Sequence, residues 1–117
     1  ERIRFLGFRS DVPDLLAACD ALVAPTRYEA YGLGVQEALC TGLPALVSAD
    51  AGVAERYPAS LGELLLREPS RAEAVEASLR EWRRNHERLR QATVELAASL
   101  RQRTWRTMAR EVHALLA

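Results

Sequence analysis

The sequence predicts an α/β fold, a doubly wound sheet of parallel strands followed by a helical tail. Three observations carry this. The apolar runs Ala21-Leu22-Val23-Ala24 and Ala45-Leu46-Val47-Ser48 are too short for helices and apolar on both faces, as strands covered on both sides of a parallel sheet must be. Amphipathic helical stretches alternate with them, which is the pattern of crossover connections. From Pro69 onward the apolar period is helical throughout. The 117 residues fit one domain, with a strand-and-helix core over residues 1–66 and a helical tail over 67–117.

In chain order, Ile3-Arg4-Phe5-Leu6 with Gly7 predicts a short strand ending in a glycine turn, and Phe8-Arg9 a loop. Ser10 or Asp11 caps the next helix, Pro13 suits its first turn, and Leu15, Leu16 and Cys19 form its apolar face. The strand at 21–24 ends at Pro25. After a polar loop, a helix from about Gly34 runs to Thr41 and stops at Gly42-Leu43-Pro44, a glycine terminator with proline beyond it. The strand at 45–48 follows, then a turn, a short helix over 53–57 halted by Pro58, and a last strand over 61–66. In the tail, Ser70-Arg71-Ala72-Glu73 reads as a capping box, opening a helix with Ala72, Val75, Leu79 and Trp82 along one stripe. A break near Asn85 precedes a helix with Leu89, Ala92, Leu96 and Leu100 at helical spacing. Thr104 caps a third, with Trp105, Met108, Val112 and Leu115 or Leu116 facing inward. Trp82 and Trp105 are expected in the core.

Composition narrows the function classes. Sixteen acidic residues balance sixteen basic ones, so net charge points to no nucleic-acid partner. All the basic residues are arginine, which rules out a lysine phosphate anchor or Schiff base within this chain. Residues 1–66 carry five Arg against nine Asp/Glu, and residues 67–117 eleven against seven, so the tail is the basic part. Cys19 and Cys40 sit in helical stretches beside alanine or leucine, which suits reduced, buried thiols of a cytosolic protein, and no metal-ligand spacing exists. No apolar run reaches the length of a membrane span.

The chemistry concentrates between Pro25 and Leu39. A strand end, a polar loop, Gly32 and Gly34, and the first turns of a helix follow one another, with Glu29 in the loop and Glu37 in the helix. In doubly wound sheets ligands sit beyond the carboxyl ends of strands, where this loop lies. The glycines let backbone approach a ligand, the helix start offers N–H groups to an anion, and the carboxylates accept hydrogen bonds from hydroxyls. That set suits a phosphorylated, hydroxyl-rich ligand.

The ordered set Pro25-Thr26, Glu29, Tyr31-Gly32, Glu37-Ala38-Leu39, Gly42-Leu43-Pro44 and a strand ending in Ser48 resembles the donor-binding, carboxyl-terminal half of retaining GT-B glycosyltransferases, in particular glycosyltransferase family 4. Thr26 stands where the family has serine, Ala30 glycine, Tyr31 phenylalanine and Ala45 valine. The resemblance continues through Gly52 and Glu55 and an aromatic at Trp105, and covers nearly the whole chain. It implies a partial GT-B carboxyl-terminal domain with a Rossmann-like sheet. It also implies an NDP-sugar as substrate, with no cofactor and no metal.

Position by position, the resemblance implies that Glu37 accepts ribose hydroxyls and that Glu29, the catalytic candidate, contacts hydroxyls of the transferred sugar. Backbone N–H groups near Tyr31, Gly32, Leu33 and Gly34 would cradle the diphosphate, whose charge grows as the glycosidic bond breaks. Phe8 and Arg9 fall where the family meets the base, or are an ordinary loop pair; Glu55 is a rim residue or a surface one. Arg27 reads as a surface arginine, and His86 and His113 as bystanders.

The resemblance further implies parts lying outside these residues: an Arg and a Lys on an earlier loop, and an amino-terminal acceptor domain. The chain opens at what would be the third strand, so the fragment alone is expected to be inactive. Its first strand is expected to pair with the exposed edge of the strand at 21–24 or to exchange into a second copy. The location implied is cytoplasmic. The basic tail admits peripheral contact with the inner membrane face, but its arginines alternate with glutamates, as in Glu76 and Arg80, which favours a solvated surface. Two other functions remain open, a nucleotide-sugar epimerase of the same fold and a non-catalytic Rossmann-like interaction module.

Overall fold

The structure is a computed structural model and describes residues 2–116; Glu1 and Ala117, the ends of the expected core and tail, lie outside the described residues. Its elements are α1 (Val12–Ala18), β1 (Leu22–Ala24), α2 (Leu33–Cys40), β2 (Ala45–Ser48), β3 (Leu65–Leu66), α3 (Ala72–Arg84), α4 (His86–Gln102) and α5 (Trp105–Leu116), with two 3-10 helices, Gly52–Arg56 and Ala59–Leu64, between β2 and β3. The architecture is α/β and Rossmann-like, a parallel sheet with helices and a helical tail.

The sheet has three strands in the order β1-β2-β3, all parallel. β2 is its centre and every residue in it is buried, as its unbroken apolar sequence requires. On one side of the sheet, Val35 and Leu39 of α2 pack with Val47, Ala51 and Val53; on the other, Leu46 meets Leu61, Leu64, Leu66 and Leu89. Each fully buried leucine contributes about 1.5–3 kcal/mol of transfer free energy. α4 closes the body, because its Leu96 reaches both clusters.

The end of α2 follows its glycine stop. Gly42 has φ +83°, Gly42 N–H donates to Leu39 O at 2.9 Å, and Leu43 N–H donates to Ala38 O at 3.1 Å, the pair of bonds of a Schellman turn. Arg101 of α4 adds a bond to the carbonyl of Cys40 at 2.6 Å, so the tail caps this helix end. Asn85 marks the expected break between α3 and α4, and Thr104 Oγ1 accepts from Thr107 N–H at 3.2 Å at the start of α5. The stripes Val75, Leu79, Trp82 and Ala92, Leu96 pack on the core as the spacing predicts.

Several expectations are corrected. Residues 3–6 form no strand: Phe5 is 97% exposed, and the segment has no paired neighbour among the described residues, without which extended backbone has nothing to hold it. Of the strand expected over 61–66, only Leu65–Leu66 is extended; Leu61 and Leu64, three apart, are both fully buried, and the 3-10 helix is what puts them on one side. The short helix after β2 is likewise 3-10. The capping box is not formed, since α3 starts at Ala72 with Arg71 at its cap, one residue later than Ser70 and Glu73 require. Asp11 does sit at the cap of α1, but its carboxylate takes the Arg9 guanidinium instead of a helix N–H. Cys19 is exposed because it ends α1, which has no buried residue and lies at the margin of the fold, and Cys40, the last residue of α2, is half-buried. The apolar side of α5 is uncovered, with Trp105 83% and Leu115 86% exposed.

Candidate functional site

The loop between β1 and α2 follows the carboxyl end of β1 and leads into the amino terminus of α2. Its shape depends on Gly32, which occupies the N-cap of α2 with φ +100° and ψ 59°. A side chain there would be strained, and its Cβ would come within 3.1 Å of Val53 Cγ1 and 3.4 Å of Glu29 Cγ. The glycine thus lets the half-buried Glu29 side chain lie against the loop. Gln36 N–H donates to Gly32 O at 3.0 Å, which starts the helix; the N–H groups before it remain available to an anion.

Tyr31 locks the turn from the other side. Its ring packs on the cluster of Val35, Leu39 and Val47, and its hydroxyl donates to Gln36 Oε1. Leu33 and Gly34 are exposed, and a Cβ on Gly34 would point into open space. Glu37, one turn further, is exposed on α2. The structure therefore gathers Glu29, Tyr31, Gly32, Leu33, Gly34 and Glu37 on one loop-helix unit at the carboxyl end of the sheet.

It does not gather Phe8 and Arg9 with them by any hydrogen bond. Phe8 is 98% exposed. Arg9 is taken up by Asp11, with Nε donating to Oδ1 at 2.7 Å; the pair raises the guanidinium pKa and holds the Asp11 carboxyl below its usual range.

Two groups that hold the loop escaped the sequence reading. Ser48 Oγ donates to Thr26 O at 2.5 Å, and Val53 N–H donates to Tyr31 O at 2.8 Å. The first had a signal: a lone hydroxyl ending an all-apolar buried strand needs a partner. The second is a main-chain contact between distant segments and had none.

A groove of about 870 Å³ lies at the other end of the sheet, between the segments that precede β1 and β2 and the corner of α3 and α4. Its charged lining is mixed, Arg83 and Arg90 with Asp20 and Glu87, so it selects no one class of ligand. Among the described residues, no group of three or more His, Cys, Asp or Glu side chains is placed to hold a metal ion.

The family model of the glycosyl transferases group 1 matches residues 1–99, which takes in the whole loop-helix unit and the sheet. The chain belongs to this family. Among its relatives, the lipopolysaccharide core biosynthesis mannosyltransferase LpsB of Rhizobium meliloti (strain 1021) is 44% identical over 52 residues, 44% of this chain and 14% of that protein. The UDP-Gal:alpha-D-GlcNAc-diphosphoundecaprenol alpha-1,3-galactosyltransferase of Escherichia coli is 44% identical over 48 residues, 41% of this chain and 12% of the relative. The lipopolysaccharide glucosyltransferase WaaG of Escherichia coli (strain K12) is 35% identical over 78 residues, 67% of this chain and 21% of the relative. The chain thus spans about a fifth or less of the length of these three relatives. No solved structure matches it significantly. As a group 1 glycosyltransferase chain, it carries the parallel sheet and the loop at its carboxyl end, while α5 falls outside the matched residues.

Proposed function

We propose that this chain is the donor-binding part of a retaining GT-B glycosyltransferase of family 4, taken from its carboxyl-terminal domain. The whole enzyme would be a hexosyltransferase that takes a sugar from an NDP-sugar and releases NDP. The observation that carries the reading is the family match spanning a loop in which Glu29, the helix start at Gly32 to Gly34 and Glu37 are held together. In this reading Glu37 accepts the ribose hydroxyls and Glu29 those of the sugar. The amides from Tyr31 to Gly34 take up charge on the departing diphosphate, stabilising a product that forms without metal. Phe8 and Arg9 would approach the base.

The acceptor is a lipid-linked glycan, since the relatives' names include lipopolysaccharide and a diphosphoundecaprenol. It would be bound by an amino-terminal domain, and the diphosphate would meet an Arg and a Lys of an earlier loop. The reaction belongs on the cytoplasmic side; the basic tail admits peripheral contact with the membrane face, but its Arg80–Glu76 pair favours a solvated surface, and among the described residues no helix is long and apolar enough to cross a membrane. Relatives named as mannosyl-, galactosyl- and glucosyltransferases favour transfer over epimerisation and over a non-catalytic module. In isolation, residues 3–6 would exchange onto the free edge of β1 in a second copy, and a monomer at all concentrations in sedimentation would refute that.

Calorimetric titration with UDP-, GDP- and ADP-sugars tests the donor reading. Binding of one of them, weakened about tenfold or more in Glu37→Ala, is the expected result. Absence of binding to all three in the wild-type chain would favour the interaction module.

A further inference from the structure

The loop that carries the candidate site is not shaped by its own contacts alone. Three points of attachment come from one neighbouring segment, the end of β2 and the turn after it. Ser48 Oγ holds Thr26 O at 2.5 Å, Val53 N–H holds Tyr31 O at 2.8 Å, and between them the Gly52 backbone presses on Ala30 and Tyr31. A Cβ on Gly52 would overlap the Ala30 carbonyl oxygen and come within 3.2 Å of Tyr31 Cα. The contact is reciprocal, because the Cα of Gly32 faces Val53 Cγ1 closely enough that a Cβ would lie 3.1 Å away. Two backbone segments therefore interlock through a glycine on each side. The supporting segment is itself immobilised: Ala51 and Val53 are buried in the same cluster as Val47 and Leu39.

Resting on the donor reading above, we propose that residues 48–53, the end of β2 and the turn after it, are the support that sets the position of the donor loop, with Gly52 its positioning residue. In this reading Gly52 acts through Ala30 and Tyr31 and not on the donor itself. It determines how far Ala30 and Tyr31 stand from the sheet, and through them where Glu29 and the amides up to Gly34 point. Unlike Gly32, Gly52 has no positive φ, so its own conformation tolerates alanine; only the spacing to the loop resists a side chain. A methyl at this position is thus a wedge under the loop. A shift of the order of 1 Å at groups that position a substrate costs up to about a hundredfold.

Gly52→Ala tests the support, with Gly62→Ala as control because nothing lies within 4 Å of a Cβ there. Amide hydrogen exchange in the whole chain reads the contact without any ligand. The Val53 amide should exchange about tenfold or more faster in Gly52→Ala, while Leu46 and Val47 of β2 keep their protection. Calorimetry with UDP-glucose and GDP-mannose should then show about tenfold or greater loss of donor affinity in Gly52→Ala and none in Gly62→Ala. Unchanged exchange at Val53, or donor affinity equal to wild type with faster exchange, overturns the proposal. Should Gly52→Ala not fold, Ser48→Ala removes only the Thr26 tie: a severalfold loss of donor affinity with the sheet amides still protected supports the proposal, and wild-type affinity overturns it. If the wild-type chain binds no nucleotide sugar, the donor reading fails by itself, while exchange at Val53 still decides whether the turn supports the loop.

Discussion

Two regions carried the clearest apolar patterns in the sequence, and the structure treats them in opposite ways. Around the β1–α2 loop, the apolar residues of α2 and β2 meet one another and Val53, and the loop is pinned at Thr26, Ala30 and Tyr31. In α5, Trp105, Met108, Val112, Leu115 and Leu116 recur at helical spacing just as regularly, yet all are exposed. The difference teaches what an amphipathic pattern means. It states that a face gains free energy by leaving water, about 25 cal/mol per Å² of apolar surface, and says nothing about whether this chain supplies the cover. α2 lies next to its cover in the sequence, one crossover from each strand, whereas α5 follows a bend at Arg103 and Thr104 that directs it away from the two core clusters.

The strongest test of this contrast is Leu46→Ala, which opens a cavity at the centre of the sheet, in the cluster on the side opposite the loop. It should cost about 2–5 kcal/mol in urea unfolding; a loss below about 1 kcal/mol would mean that the core is not packed as described. Glu29→Gln in the full-length enzyme probes the loop itself. It should lower kcat by about a hundredfold with little change in melting temperature, and unaltered turnover would remove Glu29 from the sugar site.

A smaller effect is expected from Tyr57, whose hydroxyl donates to Ala45 O at 2.8 Å and whose ionisation is pushed well above the ordinary tyrosine range by burial. The unfolded chain loses this proton near pH 10 and the folded one does not, so stability declines as pH rises above about 10. Tyr57→Phe should begin about 1 kcal/mol less stable and lose less over that alkaline range, read from melts at pH 8 to 11. Trp105→Ala closes the series. With its ring 83% exposed it should change stability by less than about 0.5 kcal/mol, and a loss above about 2 kcal/mol would show α5 packed on the body after all.

How far the sequence was legible depends on the range of the forces involved. Gly42 stopped α2 and Thr104 began α5 as expected, because each acts through hydrogen bonds within five residues of chain. The buried strand at β2 was legible because a short run apolar on both faces, closed by Gly42-Leu43-Pro44 before it and a turn after it, suits a strand covered on both sides of a parallel sheet. Residues 3–6 and 61–66 looked equally strand-like; the first formed no strand for want of a paired edge, and the second is strand only at Leu65–Leu66 because Leu61 and Leu64 had to share a side. At the candidate site, Glu29, Gly32, Gly34 and Glu37 were visible through their spacing. Ser48 signalled only that its hydroxyl needs a partner, and not that the partner is Thr26, 22 residues away; the Val53 support, a main-chain contact between distant segments, left no local trace.

The sequence by itself determined the class of the fold and the loop-helix unit where ligand chemistry is concentrated, because alternation of apolar runs, glycine stops and carboxylate spacing are short-range properties. Only the tertiary structure decided which apolar faces are covered, which extended segments become strands, and that the site loop rests on the turn after β2. Those outcomes depend on which distant backbone groups meet, and a hydrogen bond or a close glycine contact forms only when both partners have arrived.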